Sequence, residues 1–275
     1  MRFGTPLFAL SLVLVAPRSF ADDPAPLPPL PPPSSQPNEA PVVTPAPARP
    51  PVVQVRPEPE QYAYEERPAP VHAPKYALWT GARVGAIGFM NSFFVNAVGS
   101  YETTGGFVKP GLSTELNLGA RLAYRFIPYV YFEHSFLGTG RHFERAGVTA
   151  SSNFYGLGFR YLAGDVHTVS FASDLALGFR SVTISDNTSS YTMSTFEYFR
   201  LGLGAEIRLS NSLTLSPMAT ISTGTMTDAD GAIAYSDGGS PTYQNGTTIN
   251  NQASYLVLGI GVGAHFDLFG SSPPY

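Results

Sequence analysis

Between Tyr76 and Phe269, hydrophobic residues return at every second position in eight separate runs, and the charged residues keep to the opposite phase. The run 112–126 is the clearest. Leu112, Thr114, Leu116, Leu118, Ala120, Leu122, Tyr124 and Phe126 share one parity, while Ser113, Glu115, Asn117, Gly119, Arg121, Ala123 and Arg125 hold the other. Side chains alternate across a strand, so this period predicts strands with one apolar and one charged face. A run of this length exceeds an ordinary soluble strand and suits a tilted crossing of a bilayer. The predicted strands are 77–88, 112–126, 129–137, 152–162, 168–180, 195–210, 213–223 and 253–268. Ile127-Pro128, residues 163–167 and Asn211-Ser212 form short links, and the alternate links 89–111, 138–151, 181–194 and 224–252 are long and rich in Gly, Ser, Thr, Asn and Asp.

Short turns at one end and long polar loops at the other are the habit of transmembrane barrels. The predicted fold is all-β: an eight-stranded antiparallel up-and-down transmembrane β-barrel over residues 76–269, with 270–275 as a short tail. A soluble barrel that buries the apolar face around a ligand is the competing arrangement. The membrane arrangement is favoured because the charged parity also carries the small residues, such as Gly156, Gly158, Gly202, Gly204, Gly259, Gly261 and Gly263. A narrow lumen needs small residues beside long ones; a water-facing surface does not. Aromatics on the apolar parity also gather toward strand ends, as rings do at bilayer interfaces. Tyr124, Phe126, Tyr161, Phe171 and Phe266 fall near the short turns, and Phe136, Tyr155, Phe179 and Phe199 near the long loops.

The N-terminal third is built differently. Arg2, the apolar stretch Leu7–Val15 and Ser19-Phe20-Ala21 have the layout of a secretory signal peptide over residues 1–21, with cleavage expected after Ala21. Residues 22–75 hold 18 of the 26 prolines and too few apolar side chains to form a core, so they read as a disordered or polyproline II arm. An even strand number puts that arm on the short-turn side of the barrel. Loss of Arg2 and Arg18 leaves 14 basic against 20 acidic side chains, and Lys75 and Lys109 are the sole lysines, which argues against nucleic acid as a partner. The absence of cysteine excludes disulfides, thiolate metal sites and a cysteine nucleophile.

With the ending Ala264-His265-Phe266-Asp267-Leu268-Phe269, these features make residues 76–269 resemble the small outer-membrane barrels of the OmpA, OmpX and OmpW type. The usual C-terminal assembly signal stops at an aromatic residue, whereas here Gly270–Tyr275 follow. The resemblance implies the outer membrane of a Gram-negative bacterium, with the arm in the periplasm. Its implied partners are outer-membrane lipids and the barrel-assembly machinery, with peptidoglycan or a periplasmic protein open to the arm. The function expected is that of a non-enzymatic barrel with a structural or surface-interaction role. A narrow OmpW-like channel for small or apolar solutes is the alternative, and a lipid-modifying hydrolase is the weakest reading.

The inward parity collects Arg83, Glu115, Arg121, Arg125, Glu133, Arg160, Asp174, Arg180, Arg200, Glu206, Arg208 and Asp267, seven arginines and five acids. Unpaired charge in a low-dielectric interior is costly, so a salt-bridged network is expected, with Glu133 facing Arg121 as its first pair. An eight-stranded lumen is just filled by side chains. No catalytic set, metal site or cofactor is expected. His134 and Ser135 point to opposite faces, His142 and Glu144 lack a nucleophile, and His265 with Asp267 reads as a plain hydrogen bond near the rim. Asp228, Asp230 and Asp237 lack calcium-loop spacing. His134 sits awkwardly on the lipid-facing parity, and Pro217 inside a closed sheet calls for a bulge.

Overall fold

The computed structural model describes residues 71–96, 98–241 and 247–271. The expected signal segment, its expected cleavage point at Ala21 and most of the proline-rich stretch lie outside them. Eight long strands run β1 (Tyr76–Val95), β2 (Val108–Arg121), β3 (Phe126–Thr139), β4 (Thr149–Gly164), β5 (Val169–Ser185), β6 (Ser190–Arg208), β7 (Leu213–Thr225) and β8 (Ser254–Ser271). Each pairs antiparallel with the next, and β8 returns to β1, so the circuit is closed. Three short strands sit beyond the barrel at the long-loop end. Tyr101–Thr103 folds onto the end of β1, Asp228–Gly231 lies beside the end of β6, and Thr247–Thr248 pairs with the latter.

The alternation has the expected sense. Leu112, Leu116, Leu118, Leu157, Leu175 and Ile260 are exposed on the outer surface, while Arg121, Arg160 and Arg180 are at most 1% exposed. Glycine on the inward parity makes room for neighbours: a Cβ on Gly158 would collide with the ring of Tyr129. Outward aromatics form two rows. Phe126 pairs with Tyr161, and Phe171 lies one strand further on at the short-turn end. Phe132, Tyr155, Phe179 and Phe196 stand side by side higher up, with Phe179 packed against Tyr155 at 5.9 Å and Phe196 at 5.0 Å. Eight residues separate Phe171 from Phe179 along β5; at about 3.4 Å per residue and a tilt of about 40° they span roughly 20 Å of height, close to the apolar band of a bilayer barrel.

The strands continue beyond the upper row, and there their polarity inverts. On β4 the outward residues become Asn153 and Ser151, on β5 Ser181 and Thr183, on β6 Ser194 and Thr192. The inward residues become apolar and buried: Phe154 and Ala150, Val182 and Ile184, Met193 and Tyr191. On these three strands the upper part has the polarity of a sheet in water and the lower part that of a sheet in a membrane; the β6–β7 ladder itself ends at Phe199/Thr223, and above it β6 pairs with Asp228–Gly231. The upper part corrects the expected strand limits: the link expected over 181–194 shrinks to the turn 186–189, where Asp186 accepts hydrogen bonds from the backbone N–H of Thr188 and Ser189.

Other expectations also change. The link between β2 and β3 is Leu122–Arg125, not Ile127-Pro128; Ala123 and Tyr124 take left-handed φ of 47° and 68°, Ile127 is buried and Pro128 lies in β3 opposite Phe159. Tyr124 is therefore a half-buried turn residue rather than part of an outer girdle. Pro217 needs no bulge: the β6–β7 register is the same on both sides of it, and only the ladder between Gly204/Met218 and Ile207/Leu215 is interrupted. The bulge lies on β6 instead, where Tyr198 and Phe199 both face outward opposite Leu177. His134 does face outward, half-buried, and shares a 2.7 Å hydrogen bond with Asn153 of the neighbouring strand.

Candidate functional site

The lumen of the membrane-spanning part is filled by one continuous chain of alternating charges. From the short-turn end, Arg208 meets Asp267 (2.8 Å), Asp267 meets Arg121 (2.8 Å), and Arg121 meets Glu206 (2.7 Å). Glu206 is 3.6 Å from Arg160, whose fork grips both carboxylate oxygens of Asp174 at 2.7 and 2.8 Å. Asp174 leads to Arg83 (3.5 Å), Arg83 to Glu115 (3.4 Å), Glu115 to Arg200 (3.1 Å), and Arg200 to Glu133 (2.7 Å). Glu133 reaches Arg180 (3.3 Å), and Arg180 ends the chain on Glu197, which also accepts the Tyr255 hydroxyl at 2.8 Å. Every member is buried. Six arginines face six carboxylates, so the chain is electroneutral.

That balance rests on two corrections to the residues named from parity. Arg125 is not in the lumen; it lies in the Leu122–Arg125 turn, half-buried, and donates to the carbonyl of Leu162 at 3.1 Å. Glu197 takes its place in the count. It was missed because the bulge at Tyr198 and Phe199 shifts the parity of β6, so the upper half of that strand points its odd residues inward. The expected Glu133–Arg121 pair does not form. With the turn at Leu122–Arg125, the residue opposite Glu133 is Glu115, and Nη2 of Arg200 joins these two facing carboxylates from across the lumen. In so narrow a cylinder side chains reach across the bore as readily as to the next strand.

Aromatic rings hold the guanidinium groups in place. Arg160 lies 5.0 Å from the ring centre of Trp79, Arg180 4.7 Å from Phe154 and Arg200 5.4 Å from Tyr131, arrangements that favour a cation over a π face. His265 stacks on Trp79 at 4.3 Å and meets Asn117 and Ser216, each at 3.3 Å, rather than Asp267, which is occupied by Arg121 and Arg208. A residual cavity of about 20 Å³ is bordered by Arg83, Ser113, Glu115, Glu133, Arg200 and Thr220, room for about one water molecule.

Both ends of the lumen are covered. Above the ionic chain, Phe93, Phe107, Phe143, Tyr191, Met226 and Tyr255 belong to a packed apolar cluster, with Phe93–Phe107 at 5.7 Å and Phe107–Phe143 at 5.8 Å. The loops are tied together over it: Gly140 N–H donates to Phe107 O (2.9 Å), Ser236 N–H to His142 O (2.7 Å), and Arg145 joins Asp186 (2.7 Å) to Ala234 O (2.9 Å). His142 stacks on Tyr235 at 4.5 Å and approaches Glu102, while Glu144 pairs with Lys109, so these two loop residues serve different contacts. Asp228 and Asp230 are exposed, and no cluster able to hold a metal ion occurs among the described residues. At the other end Val71–Lys75 crosses the short turns. His72 N–H donates to Asn211 Oδ1 (2.8 Å), Ala73 N–H to His167 Nδ1 (3.0 Å), and Ala73 is buried.

Of the outer aromatics named from sequence, Phe126, Tyr161, Phe171 and Phe266 stand exposed toward the short-turn end, and Tyr155 and Phe179 in the upper row. Phe199 is the outward bulge residue of β6, and Phe136 lies above the row, opposite Ser151.

No family model matches the chain, and no curated protein matches its sequence. Among solved structures it is similar to Neisserial surface protein A (10% identity, 70% of this chain and 96% of that one, TM-score 0.43). It is also similar to Ail, the attachment invasion locus protein of Yersinia pestis (10% identity, 69% and 99%, TM-score 0.35), and to outer membrane protein AlkL (12% identity, 76% and 99%, TM-score 0.42).

Proposed function

We propose that the protein is a non-enzymatic outer-membrane barrel of a Gram-negative bacterium, whose role is structural or one of surface interaction through its protruding wall and loops. The observation that carries this reading is the unbroken, electroneutral ion-pair chain beneath an apolar plug. Such an interior holds shape rather than passing solutes. In this reading outer-membrane lipids surround the aromatic-bounded band, and the barrel-assembly machinery inserts it. The proline-rich arm leaves from the short-turn end into the periplasm, where it reaches peptidoglycan or a periplasmic protein.

Planar-bilayer recording of the purified protein tests the sealed lumen against a narrow channel for small solutes. The expected result is no unitary conductance from the wild type. Steady steps that change with Arg121→Ala or Glu133→Ala would transfer the assignment to a channel. Heat-dependent migration on gels checks barrel formation in the same samples.

A further inference from the structure

Three strands carry an outward face whose chemistry differs from everything below it. Immediately above the row Tyr155, Phe179 and Phe196, the next two outward positions are Asn153 and Ser151 on β4, Ser181 and Thr183 on β5, and Ser194 and Thr192 on β6. The pairing sets them in two rows across the strands, Asn153–Ser181–Ser194 and Ser151–Thr183–Thr192. Strand and residue spacings of about 4.8 and 3.4 Å make this a platform roughly 10 Å wide, extended by the strand Asp228–Gly231. The backing is rigid, because the opposite faces of these strands are the buried Val182, Ile184, Tyr191 and Met193 of the plug.

The donors and acceptors on this face are hydroxyls and one amide, all half-exposed. Thr183 and Thr192 share a 3.0 Å hydrogen bond, and His134 engages Oδ1 of Asn153, which leaves the amide NH₂ of Asn153 as a donor. Neither row contains a lysine or arginine, and Asp228 and Asp230 border them opposite Ser194 and Thr192. An anionic headgroup would therefore meet no cation and two like charges. A ligand rich in uncharged hydroxyls would meet matching donors and acceptors. Because the aromatic row directly beneath marks the edge of the hydrocarbon, such a ligand would be carried there on a lipid.

We propose that this platform binds the uncharged sugar residues of a membrane glycolipid in the outward-facing leaflet. The proposal rests on the membrane-spanning reading above. It commits to a lipid-linked sugar rather than a free saccharide, because the platform begins where the aromatic row ends.

The test uses the full protein in phospholipid nanodiscs doped with two glycolipids in equal amounts. Both carry the same acylated, phosphorylated disaccharide; one bears additional neutral sugars. After affinity isolation, the protein is expected to retain the sugar-bearing form at least about threefold over the shorter one. The ratio is expected to fall to unity in Thr183→Val/Thr192→Val and in Ser181→Ala/Ser194→Ala, both of which leave the apolar backing intact. Equal retention by the wild type, or preference unchanged in both double variants, overturns the proposal. So does equally tight binding of the free oligosaccharide in discs lacking glycolipid, which would make the ligand a soluble glycan. Heat-dependent migration of the same samples separates the two readings: a wild type that never forms the barrel overturns both, whereas an inserted barrel without preference overturns the platform alone.

Discussion

Below the upper aromatic row the barrel wears Leu, Val and Phe outside and arginine and carboxylate inside; above it β4, β5 and β6 wear Ser, Thr and Asn outside and Phe, Val, Ile, Met and Tyr inside. Three strands of one sheet thus serve two solvents. The β4–β5–β6 ladder runs unbroken, apart from the β6 bulge, through both parts, so the backbone of these strands is satisfied in either medium. What changes is where the free energy of side-chain burial comes from. In the upper part apolar groups leave water, and the hydrophobic effect fills the interior. In the lower part hydrocarbon offers no such drive, and the interior is held by mutual neutralisation of charges that have nowhere else to go.

The largest expected effect comes from breaking the face alternation in the lower part. Deleting Leu201 would turn toward lipid either Glu206 and Arg208 or, where the bulge closes up to absorb the gap, Arg200, and this variant is expected not to assemble. Deleting Tyr198 merely removes the bulge and keeps Glu197, Arg200 and Glu206 inward, so it is expected to fold with a loss of about 1 kcal/mol. Urea unfolding in lipid vesicles measures both; equal damage from the two deletions would contradict the bulge assignment. Next in size, Arg160→Ala leaves Asp174 and Glu206 without their shared partner and is expected to cost about 3–5 kcal/mol in the same assay. A loss under about 1 kcal/mol would mean that solvent reaches these carboxylates.

The comparison is sharpened by one residue type placed on each side of the boundary. Leu175→Arg, on the outer face of β5 midway between Phe171 and Phe179, is expected to cost about 2–4 kcal/mol, and Thr183→Arg on the same face of the same strand about 0–1 kcal/mol. Similar costs at the two sites would move the boundary. The smallest effect concerns the Asp186 turn, which lies in water. Its carboxyl is held well below the usual carboxylate range by the backbone N–H groups of Thr188 and Ser189. A depressed pKa stabilises above the ordinary value and is lost only as pH falls through the lowered one. The NMR shift of the Asp186 carboxyl carbon should therefore stay at its ionised value at about pH 4 and move only in stronger acid; a titration midpoint at about pH 4 would refute the assignment.

The lower barrel was legible in the sequence because its two faces contrast so sharply: the parity of 112–121 alone separates lipid from lumen. The upper thirds of β4, β5 and β6 were not, because their Ser, Thr and Asn outside, without charges to mark a second face, read as polar loop. The turn before Phe126 was hidden because Leu122, Tyr124 and Phe126 carry the two-residue rhythm straight through it. Glu197 was hidden because one extra residue at the bulge shifts the phase. The partners of each arginine could not be read from neighbouring strands, since Arg121 meets Asp267 at a sequence distance of 146 residues, across a bore that exists only once the sheet has closed.

Asp267 is the one lumen carboxylate supplied by β8, and it joins Arg121 of β2 to Arg208 of β6. Until the final strand docks, the nascent interior holds six guanidinium groups against five carboxylates, with a surplus positive charge at its lower mouth. A mis-seated terminal strand leaves that surplus uncancelled. Electroneutrality therefore acts as a closing latch, rewarding the one register in which the last stave brings its single negative charge to the gap.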